Sequence, residues 1–353
     1  MKRVGVLTAG GDCPGINAAI RAVTLPLLSS GIEVIGFIDG FKGLIENRTV
    51  PLDLPRISGV LTRGGTILGT SRVKPEKYPL PGGGKMDKTA QAVETWEKLE
   101  LDGLVCIGGG GTQENSFRLM NRGIPRIISL PKTIDNDIAG TDVCFGYDSA
   151  MAVASEAIDR LHTTASSHHR CMIVDVMGNN AGWLALGAGV AGGADIILVP
   201  EWPFYQEELI MALERRRSLG KLFSIVVVAE GARPCESSLG DTALPQTSGP
   251  PQNLSSRLAV FIQDELGIET RVTSLGHVQR GGIPTPRDRF LATLLGTRAA
   301  EEVREKRFGA MVAVRGEEAV PVPLEEVAGK KKIIPPDHPW VAMARRIGIS
   351  LGQ

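Results

Sequence analysis

A series of short apolar runs, several closed by glycine, constrains the fold of this chain more than any other feature. Val4–Thr8 precedes Ala9-Gly10-Gly11-Asp12, and Glu33–Ile38 precedes Asp39-Gly40. Gly103–Ile107 precedes Gly108–Gly111, and Arg126–Leu130 precedes Pro131-Lys132-Thr133. Cys171–Val176, Ile196–Pro200 and Ser224–Ala229 continue the series. Runs that are apolar at successive positions suit strands buried on both faces, as in a parallel sheet. Helical patterns lie between them. Ile16, Ile20, Val23 and Leu27 share one face, with Pro26 expected to kink or shorten that helix. Asp87–Leu99 and Ser149–Thr163 are further helices. The alternation predicts an α/β protein of doubly wound layers, with ligands at the carboxyl ends of the strands, where the glycine clusters fall.

Composition narrows the function. Lys and Arg together number 39, as do Asp and Glu, so the formal net charge is 0 and neither nucleic acid nor an anionic membrane is an expected partner. Glycine is in excess, 43 of 353 residues, which implies many sharp turns or close approaches of backbone to ligand. Cys13, Cys106, Cys144, Cys171 and Cys235 form no C-x-x-C pair, so neither a disulfide framework nor a structural zinc is expected, and a reducing, cytoplasmic location fits. The uncharged stretch between Asp175 and Asp195 carries Asn179, Asn180 and several glycines and reads as core, not as a membrane span. Pro79–Lys85 and Gly231–Ser256 read as surface loops, and Lys330-Lys331-Lys332 as a solvated basic patch.

Four constellations can carry chemistry. Gly10–Ala18 (GGDCPGINA) follows a strand and opens a helix, which suits a phosphate on backbone N–H groups or simply a tight connection. Gly108–Gly111 before Thr112 costs chain entropy, and close approach of a large ligand is a reason to tolerate it. Pro131-Lys132-Thr133-Ile134-Asp135-Asn136-Asp137 places two carboxylates beside a hydroxyl and an ammonium, fitting proton transfer and metal binding, or an Asx-turn. Arg170, Met177-Gly178, Glu230, Arg271, His277 and Arg280 are scattered donors, the last three grouped before Gly281-Gly282 as an anion site would be.

Together these segments resemble the 6-phosphofructokinase family from Val4 to about Ala300, through GGDCPGINAAIR, RGGTILGTSR, PKTIDNDI, GYDSAMAVASEAIDRLHTTASSHHR, VMGNNAGW and ETRVTSLGHVQRGG. The resemblance implies two α/β domains with an active-site cleft between them. Residues 1–146 and 279–310 would form the larger, donor domain, which would also hold Asp135, and 147–278 and 311–353 the smaller, sugar-phosphate domain. It implies ATP, fructose 6-phosphate and Mg²⁺ as ligands and a homodimer or homotetramer whose subunits share active sites. Asp135 matches the base that takes the proton from the sugar 1-hydroxyl, with Thr133 and Asp137 beside it. Asp137 is the expected metal ligand. Met177, Gly178, Glu230, His277 and Arg280 match the sugar-phosphate site, and Arg170 and Arg271 match residues that enter it from a neighbouring subunit. Gly11, Arg72, Gly109, Gly110, Gly111 and Thr112 match the donor site, with Arg72 neutralising the transferring phosphoryl group.

Four positions depart from the family pattern. Gly110 stands where an acidic magnesium ligand is usual, which raises the alternative of a catalytically impaired, sugar-phosphate-binding member. Glu114 would replace that ligand only with a different loop. Gly111 goes with ATP, whereas Lys132 is the residue of pyrophosphate users, so the pair resembles a mixed-substrate branch. ATP is the expected donor and pyrophosphate the alternative. Asn179 replaces a common Arg, whose charge Lys132 is expected to supply. Leu25 and His162 stand where an effector pocket would have Arg, although Arg21 matches, so strong regulation by ADP or phosphoenolpyruvate is not expected.

Overall fold

In the computed structural model, which describes residues 1–235 and 253–353, the apolar runs are strands of two separate sheets. Among the described residues the strands are, in chain order, β1 (Arg3–Ala9), β2 (Glu33–Phe37), β3 (Thr49–Pro51), β4 (Tyr78–Pro79), β5 (Lys85–Met86), β6 (Gly103–Gly108) and β7 (Ile127–Pro131). They continue with β8 (Cys171–Val176), β9 (Ile196–Leu198), β10 (Ser224–Ala229), β11 (Thr270–Ser274), β12 (Ala310–Arg315) and β13 (Glu318–Pro323). Residues 236–252, most of the expected Gly231–Ser256 surface loop, lie outside the described residues. The expected loop at Pro79–Lys85 is the tip of the small β4–β5 hairpin.

The chain divides into two units. The first contains Met1–Ile134, Ile138–Ser149 and Arg280–Lys332, and the second Asp135–Asp137, Ala150–Gln279 and Ile333–Gln353. The third crossing lies at 332/333, not near 310 as expected. The reason is strand pairing: β12 adds parallel to β7 in the first unit (Ala310 opposite Ile128), and β13 returns antiparallel along β12. Lys332 is likewise no mere solvated charge, because its ammonium donates to the carbonyls of Thr141 (3.0 Å) and Asp142 (2.8 Å). Asp135–Asp137 cluster with the second unit, whereas the larger domain was expected to hold Asp135.

In the first unit the sheet order is β13-β12-β7-β6-β1-β2-β3, parallel except for the two edge pairs. β6 and β7 are buried throughout, and β1 is buried from its second residue. The chain leaves β1 towards β2 on one side, while β6 flanks β1 on the other. Strand order therefore reverses between β1 and β6, which in open α/β sheets opens a crevice at the carboxyl ends. The helix Ile16–Ser29 starts directly after the β1 turn, and Pro26 sits in its last turn without ending it early. It packs against the helix Pro286–Arg304 at Gly296, where a Cβ would stand 2.7 Å from Ala22 Cβ. In the second unit β11-β8-β10-β9 are all parallel. Their core side chains, such as Ile173, Leu198 and Val226, meet Leu209, Leu213 and Leu258 from flanking helices. No helix among the described residues is long and apolar enough to cross a membrane.

One polar node fixes two helix starts in the first unit. Asp288 is fully buried, and its carboxylate accepts from Ser149 N–H (2.8 Å) and Ser149 Oγ–H (2.6 Å) at the start of the helix Tyr147–His168. Its own N–H donates to Thr285 Oγ1 (3.2 Å), the N-cap of the helix Pro286–Arg304. Replacing Asp288 with Ala should destabilise the protein by about 1–3 kcal/mol, because two donors lose a buried acceptor. Burial raises the Asp288 carboxyl above its ordinary value. Folding therefore retains this proton to a higher pH than the unfolded chain does. The group's contribution to stability falls as pH rises from the ordinary carboxylate range through the raised value. Asp288→Asn should flatten that slope in urea denaturation across pH.

Candidate active site

The carboxyl ends of β1, β6 and β7 lie side by side, so their turns converge. After β1, Gly10 takes a left-handed φ of 87°, a conformation that favours glycine. Its N–H donates to Ser71 O (2.9 Å) and its carbonyl accepts from Thr70 Oγ1 (2.7 Å), which brings the segment leading to the exposed Arg72 onto this turn. From β7, the ammonium of Lys132 donates to Gly11 O. Lys132 is only 3% exposed. From the other side, Arg280 Nη1 donates to Asp12 O at 3.1 Å. A Cβ on Gly11 would stand 2.3 Å from Arg280 Nη1, so glycine there makes room for the guanidinium. Two cations thus anchor on backbone carbonyls of one turn, a concentration of positive charge suited to a polyanion. Arg280, matched by sequence to the sugar site, falls in the first unit. Burial pushes the Cys13 thiol up to about 12, so it offers no thiolate nucleophile near neutral pH.

The glycine run after β6 divides by role. At Gly108 a Cβ would meet Thr112 Oγ1 at 2.1 Å, so that glycine serves internal packing. At Gly110 and Gly111 it would meet nothing within 4 Å. The helix Gly110–Met120 begins there, capped by no side chain. Its first internal bonds run from Thr112 and Gln113 N–H to Gly109 O, which leaves the leading N–H groups directed out of the helix start, an arrangement that favours anions. Thr112 Oγ1 turns back to Ala9 O (3.4 Å). Glu114, considered above as a substitute for the acid absent at Gly110, pairs with Arg118 at 2.7 Å, one turn further along the helix.

Thr133 lies 8% exposed after β7, its N–H donating to Phe145 O. Asn136 adopts φ 51°, a left-handed conformation that Asn tolerates, between the half-buried Asp135 and Asp137. In the second unit, the carboxyl ends of β8, β10 and β11 carry Met177, Gly178, Glu230 and His277. Met177 and Gly178 follow β8, Gly178 with φ 133°, and Glu230 follows β10 with its N–H on Val176 O (2.9 Å). His277 is exposed in the turn after β11, and Gln279 Oε1 accepts from Met177 N–H (3.4 Å). Arg170 and Arg271 do not join this cluster directly. They sit at the opposite, amino-terminal ends of β8 and β11 and converge on Glu269, Arg170 at 2.7 Å. The hydrogen bond from Arg170 is the main cause holding the Glu269 carboxyl below its ordinary value. His162 Nε2 meets Gly192 O at 2.6 Å, so its ring is committed to backbone.

The amino-acid sequence matches a known family model, that of phosphofructokinase, over residues 3–303. The chain belongs to the phosphofructokinase family. It is 48% identical to an ATP-dependent 6-phosphofructokinase of Propionibacterium freudenreichii across 99% of each chain. It is 49% identical to one of Spirochaeta thermophila, across 99% of this chain and 97% of that one. A solved phosphofructokinase from Saccharomyces cerevisiae superposes on 92% of this chain with a TM-score of 0.78 and 32% identity, and this chain spans 45% of the yeast chain.

Sequence reasoning missed Gln113, whose buried amide donates to Gly108 O (2.9 Å) and Leu130 O (3.2 Å) and so ties the ends of β6 and β7 together. A Gln two residues after a glycine run, where the helix should be turning inward, was the available signal. The division of the glycines has a measurable consequence. Gly108→Ala should destabilise the protein by about 1–3 kcal/mol through overpacking. Gly110→Ala should leave stability unchanged or raise it by up to about 1 kcal/mol, since Ala is the better helix former. Urea denaturation of the two variants checks this contrast.

Proposed function

We propose that this chain is an ATP-dependent 6-phosphofructokinase that acts in the cytoplasm as a homodimer or homotetramer. It would transfer the terminal phosphoryl group of ATP to the 1-hydroxyl of fructose 6-phosphate. The observation that carries this reading is end-to-end similarity to two bacterial relatives bearing that name. The open space over Gly110 and Gly111 supports it, since a bulky nucleotide needs room there. In this reading Asp135 takes the proton of the 1-hydroxyl as the sugar oxygen bonds to phosphorus and the bond to the leaving diphosphate breaks. Thr133 and Asp137 orient the acceptor. Arg72, Lys132 and the N–H groups of Gly11 and of the Gly109–Thr112 turn offset the charge of the transferring group, where preorganised donors act most strongly. Met177, Gly178, Glu230, His277 and Arg280 hold the sugar phosphate, joined by Arg170 and Arg271 of a neighbouring subunit.

Among the described residues no three or more His, Cys, Asp or Glu side chains converge as a metal cage. That donor set fits magnesium only in the form that keeps its waters and takes one or two carboxylates plus substrate phosphates. Asp137 would supply a carboxylate, and the ion would offset phosphate charge. The second reading has pyrophosphate as donor, because the family resemblance associates a lysine at Lys132 with pyrophosphate users; its ammonium on Gly11 O offers charge that either donor could use.

Assaying ATP and pyrophosphate with fructose 6-phosphate and magnesium tests both readings. ATP should support turnover, and turnover with pyrophosphate alone would reverse the assignment. Sedoheptulose 7-phosphate serves as the competing acceptor. Asp135→Asn should lower kcat by about 10²–10⁴-fold with little change in KM for fructose 6-phosphate. Gly110→Asp has room to fold and should raise kcat if a missing carboxylate limits the reaction. Binding of fructose 6-phosphate without turnover on either donor would mark an impaired member. Adding ADP should leave the saturation curve hyperbolic, since His162 is engaged with Gly192 O.

A further inference from the structure

Asn17 lies in the first turn of the helix that follows the Gly10–Gly15 turn, and it is 0% exposed. Its amide donates to Arg63 O (3.0 Å) and Gly64 O (3.2 Å), and its Oδ1 accepts from Ile67 N–H (2.8 Å). A buried Asn that has both amide hydrogens and its oxygen engaged on the backbone of one distant segment is a staple for that segment. The same segment is tied again at Thr66 Oγ1, which meets Thr8 Oγ1 at 3.0 Å. Its far end is pinned to the phosphate-type turn itself: Thr70 Oγ1 donates to Gly10 O (2.7 Å), and Ser71 O accepts from Gly10 N–H (2.9 Å). Ser71 Oγ also donates to Asp39 O (2.7 Å). The next residue is Arg72.

From this we infer that Asn17 and Thr70 are positioning residues for Arg72: they hold the two ends of residues 63–71 against the β1 turn so that the guanidinium starts from fixed backbone beside Gly10. The inference rests on the role given to Arg72 above. Arg72 is exposed and long, and among the described residues no side-chain partner holds its guanidinium, so its backbone anchor governs where its charge is delivered. Misplacing a group by about 1 Å at a phosphoryl-transfer site costs on the order of 10²-fold in rate. Neither Asn17 nor Thr70 touches a reactant in this account. They act through the carbonyls of Arg63, Gly64 and Gly10.

The test uses the full-length protein and isosteric changes. Thr70→Val removes the hydroxyl donor and keeps the shape. It should lower kcat with ATP by about tenfold or more, in line with the geometric sensitivity above, while KM for fructose 6-phosphate stays within about twofold. Thr70→Ser should restore the rate. In an Arg72→Ala background, Thr70→Val should have almost no further effect, because the group it positions is gone. A purely structural role predicts instead that the two losses multiply, and that result would overturn the inference, as would unchanged kcat in Thr70→Val. A readout independent of turnover is tryptic cleavage after Arg63 and Arg72. Asn17→Ala and Thr70→Val should each speed cleavage there at a concentration of urea where the parent is intact. Should the parent turn over no donor, the reading of the reaction fails, whereas unchanged cleavage at Arg63 in Asn17→Ala defeats the stapling itself.

Discussion

Parallel pairing of β1, β6 and β7 is the constraint on which the rest of the first unit depends. Three parallel neighbours point their carboxyl ends the same way, so the turns that leave them have to converge. With strand order reversing between β1 and β6, the turn at Gly10–Asp12 and the helix start at Gly110 face one crevice. The buried amide of Gln113 holds the ends of β6 and β7 in register, and the backbone bonds of Gly10 add the 63–72 segment.

The polar chemistry follows from that convergence. Backbone carbonyls of Gly11 and Asp12 receive a lysine and an arginine, while the leading N–H groups of the helix that starts at Gly110 face outward. Cations resting on carbonyls hold their charge ready with little geometric freedom, which is what electrostatic stabilisation of a polyanionic reaction needs. Glycines make the arrangement possible in different ways. Gly11 admits the Arg280 guanidinium, Gly108 admits Thr112, and Gly110 and Gly111 border open space.

Much of this was legible from residues. Both-face apolar runs such as Val4–Thr8 and Gly103–Ile107 leave few alternatives to buried parallel strands, and each emerged as a strand extended by a residue or so. Met311–Arg315 is absent from the apolar runs that the sequence offers as strands, and the third crossing that the family resemblance places near 310 lies instead at 332/333. Nothing local marks such a run as the parallel neighbour of β7, since that pairing joins residues far apart in sequence. Lys332 looked solvated because its acceptors, the carbonyls of Thr141 and Asp142, are equally remote. The sequence allows Glu114 as a metal ligand only with a different loop, and helix geometry sets it on Arg118 instead.

Sequence alone determined the α/β class, the family and the residue types available to the site, because periodicity and motif spacing are local properties of the chain. The tertiary structure alone decided which glycines are sterically required, which carbonyls Lys132 and Arg280 occupy, and how Asn17 and Thr70 anchor the segment before Arg72. Apart from the contact of Gly108 with Thr112, those depend on distances between residues tens to hundreds of positions apart, and only the packing of strands and helices sets them.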